Sequence, residues 1–141
     1  MAWISTSVTS GMDDVLPIKE WPGTHWLNES SIPTAIAYGR ENDNIGFNKW
    51  GPQVDSSMKS CCWTKLLLDR NAAPGPNDDP ALLKIVGDGI LRVPSFRDAV
   101  GVSEDFLHEM LLHLIWVLEK KFPSEYHNIQ MECWITLLAI W

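Results

Sequence analysis

One long amphipathic segment organises the second half of the chain. Between residues 103 and 122, apolar side chains recur every three or four positions, which is the period of an α-helix. Ser103 can cap this helix, Glu104 and Asp105 suit its first turn, and Pro123 follows its end. One broad apolar stripe is formed by Phe106, Leu107, Met110, Leu111, Leu114, Ile115, Leu118 and Phe122.

Short β-prone runs precede this helix. Residues 2–8 and 15–21 flank a turn and predict a β-hairpin, in which Pro17 favours an edge or a strand start. Residues 32–39 predict another short strand, and residues 45–47 predict a return strand.

A second helix is predicted over residues 57–69. Ser57 is suited to its N-cap, and Trp63, Leu66 and Leu67 fall at helical spacing. The next ten residues, 71–80, hold three prolines and a glycine, which is typical of a loop.

Two further segments complete the pattern. Residues 81–94 predict either two short strands around a Gly-Asp-Gly turn or a short helix followed by a strand. Residues 131–141 form a nearly continuous apolar run, which predicts a buried strand. The whole pattern predicts one domain of the α/β or α+β class with flanking helices. Because the run is still apolar at Trp141, we expect further sequence after it.

The composition argues against several function classes. The formal net charge is −7, whereas binding to nucleic acid needs clustered Lys and Arg. The apolar runs are too short for a membrane span, and the N-terminus does not resemble a signal peptide. The three cysteines, with Cys61 and Cys62 adjacent, make a poor disulfide framework. We therefore expect a cytoplasmic protein that binds neither nucleic acid nor membrane.

Few residues suggest chemistry. His108 and His113 are five positions apart, about 140° round a helix, so they lack the spacing of a zinc-protease pair. No glycine-rich phosphate loop occurs. Lys65 is the exception, because it is a charge within the apolar run Trp63 to Leu68. From composition alone, it is a lysine with a buried stem and a solvated head group.

The order of the motifs adds a specific resemblance. It is carried in turn by "EWPG", "SSIPTAIAY", "IGF", "MKSCCWTKLLLD", "ILRVP", "FLHEMLLHLIWVLEKKF" and "CWITLLAIW". Together these resemble the N-terminal lobe of fungal-type relatives of the seventy-kilodalton heat-shock proteins, in the actin-like ATPase superfamily. The resemblance covers residues 2–141 and implies a partial actin-like lobe with a mixed sheet.

The resemblance implies a role for Lys65. Residues 31–34 are similar to a family loop, and residues 64–68 are similar to the family segment that leads into a helix. Lys65 then matches the lysine that helps position the attacking water beside the γ-phosphate, where a cation stabilises the transferring group. ATP and magnesium are the implied cofactors, and client proteins or co-chaperones are the implied partners.

The departures from the family predict an incomplete function. No acidic strand with Gly-Thr-Thr precedes Ala2, and Leu138 stands where the family has a switch proline. We therefore expect no ATP hydrolysis by this chain alone, and at most weak binding of ATP. The alternative is a protein-interaction or regulatory module that uses an exposed sheet edge and apolar surface, with self-association as one form. An independent small enzyme ranks last, because no complete set of catalytic residues is visible.

Overall fold

Short antiparallel strands and a long helix make up the described part of the chain. A computed structural model describes residues 3–5, 15–23, 31–62, 64, 68, 92–124 and 126–128. The strands and the helix are β1 Trp3–Ser5, β2 Val15–Pro17, β3 Ala35–Ala37, β4 Lys49–Trp50, β5 Ser60–Cys62 and α1 Ala99–Lys121. The predicted combination of helix and sheet is thus confirmed, whereas the actin-like lobe stays a prediction. The predicted loop at 71–80 and the final apolar run lie outside the described residues.

The predicted N-terminal hairpin is confirmed. Strands β1 and β2 pair antiparallel, with Trp3 opposite Pro17 and Ser5 opposite Val15. In the described sheet this is a two-stranded ribbon. Pro17 is tolerated there because it is the last residue of β2, and because β2 pairs with only one strand among the described residues.

Strand β3 is the centre of a three-stranded antiparallel sheet in the order β4-β3-β5. All three of its residues are buried. Ile36 lies opposite Trp50 on one side and Cys61 on the other. The run Ala-Ile-Ala is therefore apolar throughout, because both of its faces are covered.

Two sequence predictions in this region are wrong. Residues 60–62, within the predicted helix 57–69, form strand β5, because Cys61 is buried against β3. Ser57 is not a helix cap: its backbone N–H and its hydroxyl both donate to the carboxylate of Asp55 in a turn. The predicted return strand at 45–47 is not a strand either, and the chain pairs with β3 slightly later, at β4.

Helix α1 confirms the predicted helix and corrects its start. The N-cap is Asp98, whose carboxylate accepts the backbone N–H of Gly101 at 2.8 Å. Ser103 therefore lies inside the helix, where its hydroxyl donates to the carbonyl of Ala99 at 2.9 Å. The last turn carries Lys120 and Lys121, which suit the negative end of the helix dipole.

The core lies where α1 covers the three-stranded sheet. Val102 and Phe106 of the helix pack against Ile36 and Trp50, and the rings of Trp50 and Phe106 meet edge to face at 6.0 Å. Trp21 extends this cluster towards the hairpin. Burial of this apolar surface is the main force that holds the helix on the sheet.

Candidate functional site

Thr34 and Thr64 belong to the two segments that resemble the family, and both lie near one end of the three-stranded sheet. Strand β3 begins directly after Thr34, and β5 ends two residues before Thr64. Because the strands are antiparallel and Ala35 lies opposite Cys62, the start of β3 and the end of β5 are side by side. Thr34, before β3, and Thr64, after β5, therefore lie at the same end of the three-stranded sheet.

Thr64 fixes this edge to helix α1. Its side chain is buried, and its hydroxyl lies 3.3 Å from the hydroxyl of Ser103. The contact of Thr64 with Ser103 could not be predicted from the sequence, because a buried threonine carries no periodic signal. Lys65 itself lies outside the described residues, so its catalytic role stays a prediction.

The described residues do not by themselves fit a site for magnesium and ATP. Within the described ranges, no group of three or more His, Cys, Asp or Glu side chains could hold a metal ion. At the edge just described, the hydroxyl of Thr64 is already engaged by Ser103. No catalytic step through a nucleotide is therefore derived from these residues.

A half-buried ion pair lies beside β5. The guanidinium of Arg92 donates to the carboxylate of Glu41, and its other nitrogen lies 3.8 Å from the sulfur of Cys61. The second oxygen of Glu41 is buried and has no hydrogen-bond partner among the described residues. Burial raises the pKa of the Cys61 thiol to about 11, so this cysteine stays protonated near neutral pH. Cys61 is 1% exposed and belongs to the hydrophobic core cluster, so its role in the described structure is packing.

A second polar network joins β3 to the first turns of α1. The hydroxyl of Tyr38 donates to Asp105 at 2.8 Å, and Arg97 donates to the other oxygen of Asp105 at 2.7 Å. Burial, and then the hydrogen bond to Asp105, raise the pKa of Tyr38 above its ordinary value. The phenol thus remains a donor, and the network positions the helix rather than a substrate.

The two histidines of α1 lie in different surroundings. His113 is half-buried among three indole rings, with ring centroids 5.3 Å from Trp21, 5.9 Å from Trp50 and 5.6 Å from Trp116. His108 is exposed on another side of the helix. The structure does not bring them together, which agrees with their five-residue spacing.

An apolar groove runs along α1. It has a volume of about 480 Å³ and is lined by Leu68, Val100, Ser103, Glu104, Leu107, His108 and Leu111; we call it the α1 groove. Val100 is 57% exposed, Leu107 42% and Leu111 40%. Leu107 and Leu111 belong to the broad apolar stripe of the sequence, but the core does not cover them. The sequence does indicate exposed apolar surface on this helix, because eight apolar positions cover more of the helix than one sheet can bury.

Comparisons of the chain with protein-family models, with curated proteins and with solved structures found no match. Among the described residues, no helix is long and apolar enough to cross a membrane. Function must therefore be inferred from the residues of the chain itself.

Proposed function

We propose that the chain is a partial nucleotide-binding lobe of a heat-shock-type, actin-like ATPase, which does not hydrolyse ATP by itself. The observation that supports this most is the antiparallel pairing of β3 with β5. It brings the described flanks of the two family-like segments, Thr34 and Thr64, to the same end of the sheet. The proposed phosphate site takes a cation from the segment that begins at Thr64, because a charge on the transferring group needs a positioned counter-charge.

A cytoplasmic location fits this function. Cys61 and Cys62 are adjacent in β5 and are both free thiols. Free cysteines persist in compartments that keep thiols reduced. Nucleotide-dependent chaperone work on client proteins also belongs to such a compartment, although completing the site requires groups beyond those described.

Amide NMR with Mg-ATP tests the nucleotide site. In the wild-type chain, we expect amide shifts at Ala35, Cys62 and Thr64, which flank the proposed site. Lys65→Ala should abolish these shifts. Lys59→Ala is the matched control, because Lys59 precedes β5 at the other end of the strand and its side chain is 60% exposed. Shifts that survive Lys65→Ala, or that vanish equally in both variants, would contradict the proposal.

A hydrolysis assay tests the second half of the proposal. The pure chain should release no phosphate from Mg-ATP above the rate without protein, because one lysine cannot replace phosphate donors and bound metal. Sustained hydrolysis that is lost in Lys65→Ala but kept in Lys59→Ala would show that the chain is a complete enzyme.

A second candidate function is a protein-interaction module, and the α1 groove favours it. Three large aliphatic side chains of one helix remain exposed there, and contiguous apolar surface of this kind marks binding sites. An apolar fluorescent dye tests whether the groove is open in solution. Leu107→Glu should lower dye binding more than Leu112→Glu, because Leu112 is similarly exposed but does not line the groove.

A further inference from the structure

We infer that the α1 groove binds a second copy of this chain, with the two helices antiparallel about a two-fold axis. This inference rests on the interaction module, the second of the proposed functions, and it names the partner. In a two-fold interface the same surface is used on both copies, so the groove must be complementary to itself. Its apolar and polar residues both meet that condition.

The apolar residues of the groove complement each other about a two-fold axis. Val100 and Leu111 lie at opposite ends of the α1 part of the groove, with Leu107 between them. In an antiparallel pair, Val100 of each copy lies near Leu111 of the other, and the two Leu107 side chains lie near the axis. Each copy thereby covers aliphatic surface that is exposed in the monomer.

The polar residues select the same arrangement. The lining contains one carboxylate, Glu104, and one imidazole, His108. Along the helix, the point halfway between Glu104 and His108 lies within one residue of the point halfway between Val100 and Leu111. One axis therefore serves both pairs: it brings Glu104 of each copy beside His108 of the other, where the imidazole N–H can donate to the carboxylate. A parallel pairing would instead put like groups together.

The local charge of the groove also favours self-association. The chain carries a formal net charge of −7, which opposes contact between two copies. The groove lining contributes a single acid, and that acid gains a histidine from the other copy. The nearby Asp105 is already bound by Tyr38 and Arg97. Repulsion at this face is therefore smaller than the net charge implies.

Sedimentation velocity over a range of protein concentrations tests the inference. The wild-type chain should shift reversibly from monomer to dimer. Leu107→Glu should weaken the dimer by about a hundredfold or more, since it would bury unpaired carboxylates near the axis. Leu112→Glu is the matched control, and its dissociation constant should stay close to that of the wild type. A dimer that is equally weakened by both variants would contradict the inference.

A reciprocal exchange tests the register. Glu104→His and His108→Glu should each weaken the dimer by roughly three- to tenfold, because like groups then face each other. The double variant should recover most of the wild-type affinity, because the pairs are restored with their sides exchanged. Additive losses in the double variant would exclude the two-fold arrangement.

Failure of the inference can be distinguished from failure of the interaction module. A chain that stays monomeric at every concentration, yet binds the dye in a Leu107-dependent way, has an open groove whose partner is not a second copy. A monomer that binds no dye, and in which Leu107→Glu strongly lowers the free energy of unfolding, has a groove covered within its own chain. The first result overturns the inference alone, and the second overturns both.

Discussion

At the scale of single residues, Asn42 joins two segments that lie 17 positions apart. Its amide nitrogen donates to the carbonyls of Tyr38 and Lys59 at 2.9 and 3.0 Å, and its oxygen accepts the N–H of Lys59 at 2.7 Å. Asn42 is buried, so these backbone groups have no ready access to water. The residue thereby fixes the approach of β5 to β3.

Replacing Asn42 with alanine should lower the free energy of unfolding by about 2 kcal/mol, because buried backbone groups would lose their partners. Asn48→Ala is the control: its exposed side chain accepts a single bond, from Gly39, and its loss should be under about 1 kcal/mol. Urea unfolding followed by circular dichroism measures both. Equal losses would mean that the Asn42 bridge does not stabilise the fold.

The pH dependence of stability should report the buried thiol of Cys61. Burial raises the pKa of this thiol from 9.0 to about 11. Above pH 9 the unfolded chain releases the proton while the folded chain keeps it, so stability is complete below pH 9 and falls as the pH rises to 11. Cys61→Ala should make this decline shallower, although the raised pKa of Tyr38 acts in the same direction and keeps part of it. An unchanged slope in Cys61→Ala would contradict the assignment.

At the scale of elements, the start of α1 gives a direct comparison of two candidate caps. Asp98 accepts the N–H of Gly101, so Asp98→Ala should cost about 1 kcal/mol of unfolding free energy. Ser103, the cap expected from sequence, is inside the helix, and Ser103→Ala should cost roughly half as much, through the bonds of its hydroxyl. Urea unfolding of both variants decides the order. A larger loss in Ser103→Ala would place the helix start later.

How far each element could be predicted depended on whether its signal was local. Helix α1 and the β1–β2 hairpin follow from periodicity and turn residues, which a single stretch of sequence contains. Strand β5 does not follow from such a local signal, because its residues come directly before Trp63 and Leu66, whose spacing is typical of a helix. Pairing with β3 overrides that spacing at residues 60–62, and such a long-range contact leaves no local pattern.

The candidate sites differ in the same way, because one has a local sequence signal and the other depends on contacts between elements. Lys65 is unusual in the sequence because it is a charge within an apolar run, and its role stays a prediction. The α1 groove could not be predicted, because apolar periodicity shows which residues share a face but not how wide a face the sheet covers. Leu107 and Leu111 fit the stripe and still lie outside the contact with the sheet.

At the scale of the whole molecule, the described hairpin, sheet and helix meet at His113. Nε2 of its imidazole donates to the carbonyl of Glu20 at 2.7 Å, which ties the residues after β2 to α1. Trp21 stacks on one side of the ring, and Trp50 of β4 approaches it edge to face. An exposed ion pair between Glu20 and Lys120 supplements this joint.

Removing the imidazole should therefore loosen the hairpin more than the rest of the fold. We expect His113→Ala to lower the free energy of unfolding by about 2 kcal/mol, through lost packing and an unpaired carbonyl. His113→Phe should lose less, because a ring still fills the space between the indoles while the hydrogen bond is absent. Hydrogen exchange should become faster at Ile18 and Trp21 than at Ile36, because only the first two depend on the joint.

The variant Lys120→Ala distinguishes the effect of packing around His113 from the effect of the surface ion pair between Glu20 and Lys120. It breaks the ion pair with Glu20 but leaves the imidazole between the indoles, and exposed pairs contribute little to stability. If the hairpin amides exchange equally fast in Lys120→Ala and His113→Ala, then the charge pair, and not the aromatic cluster, holds the hairpin. If they are accelerated only in His113→Ala, the aromatic cluster is the contact through which the described hairpin and sheet unfold as one unit with α1.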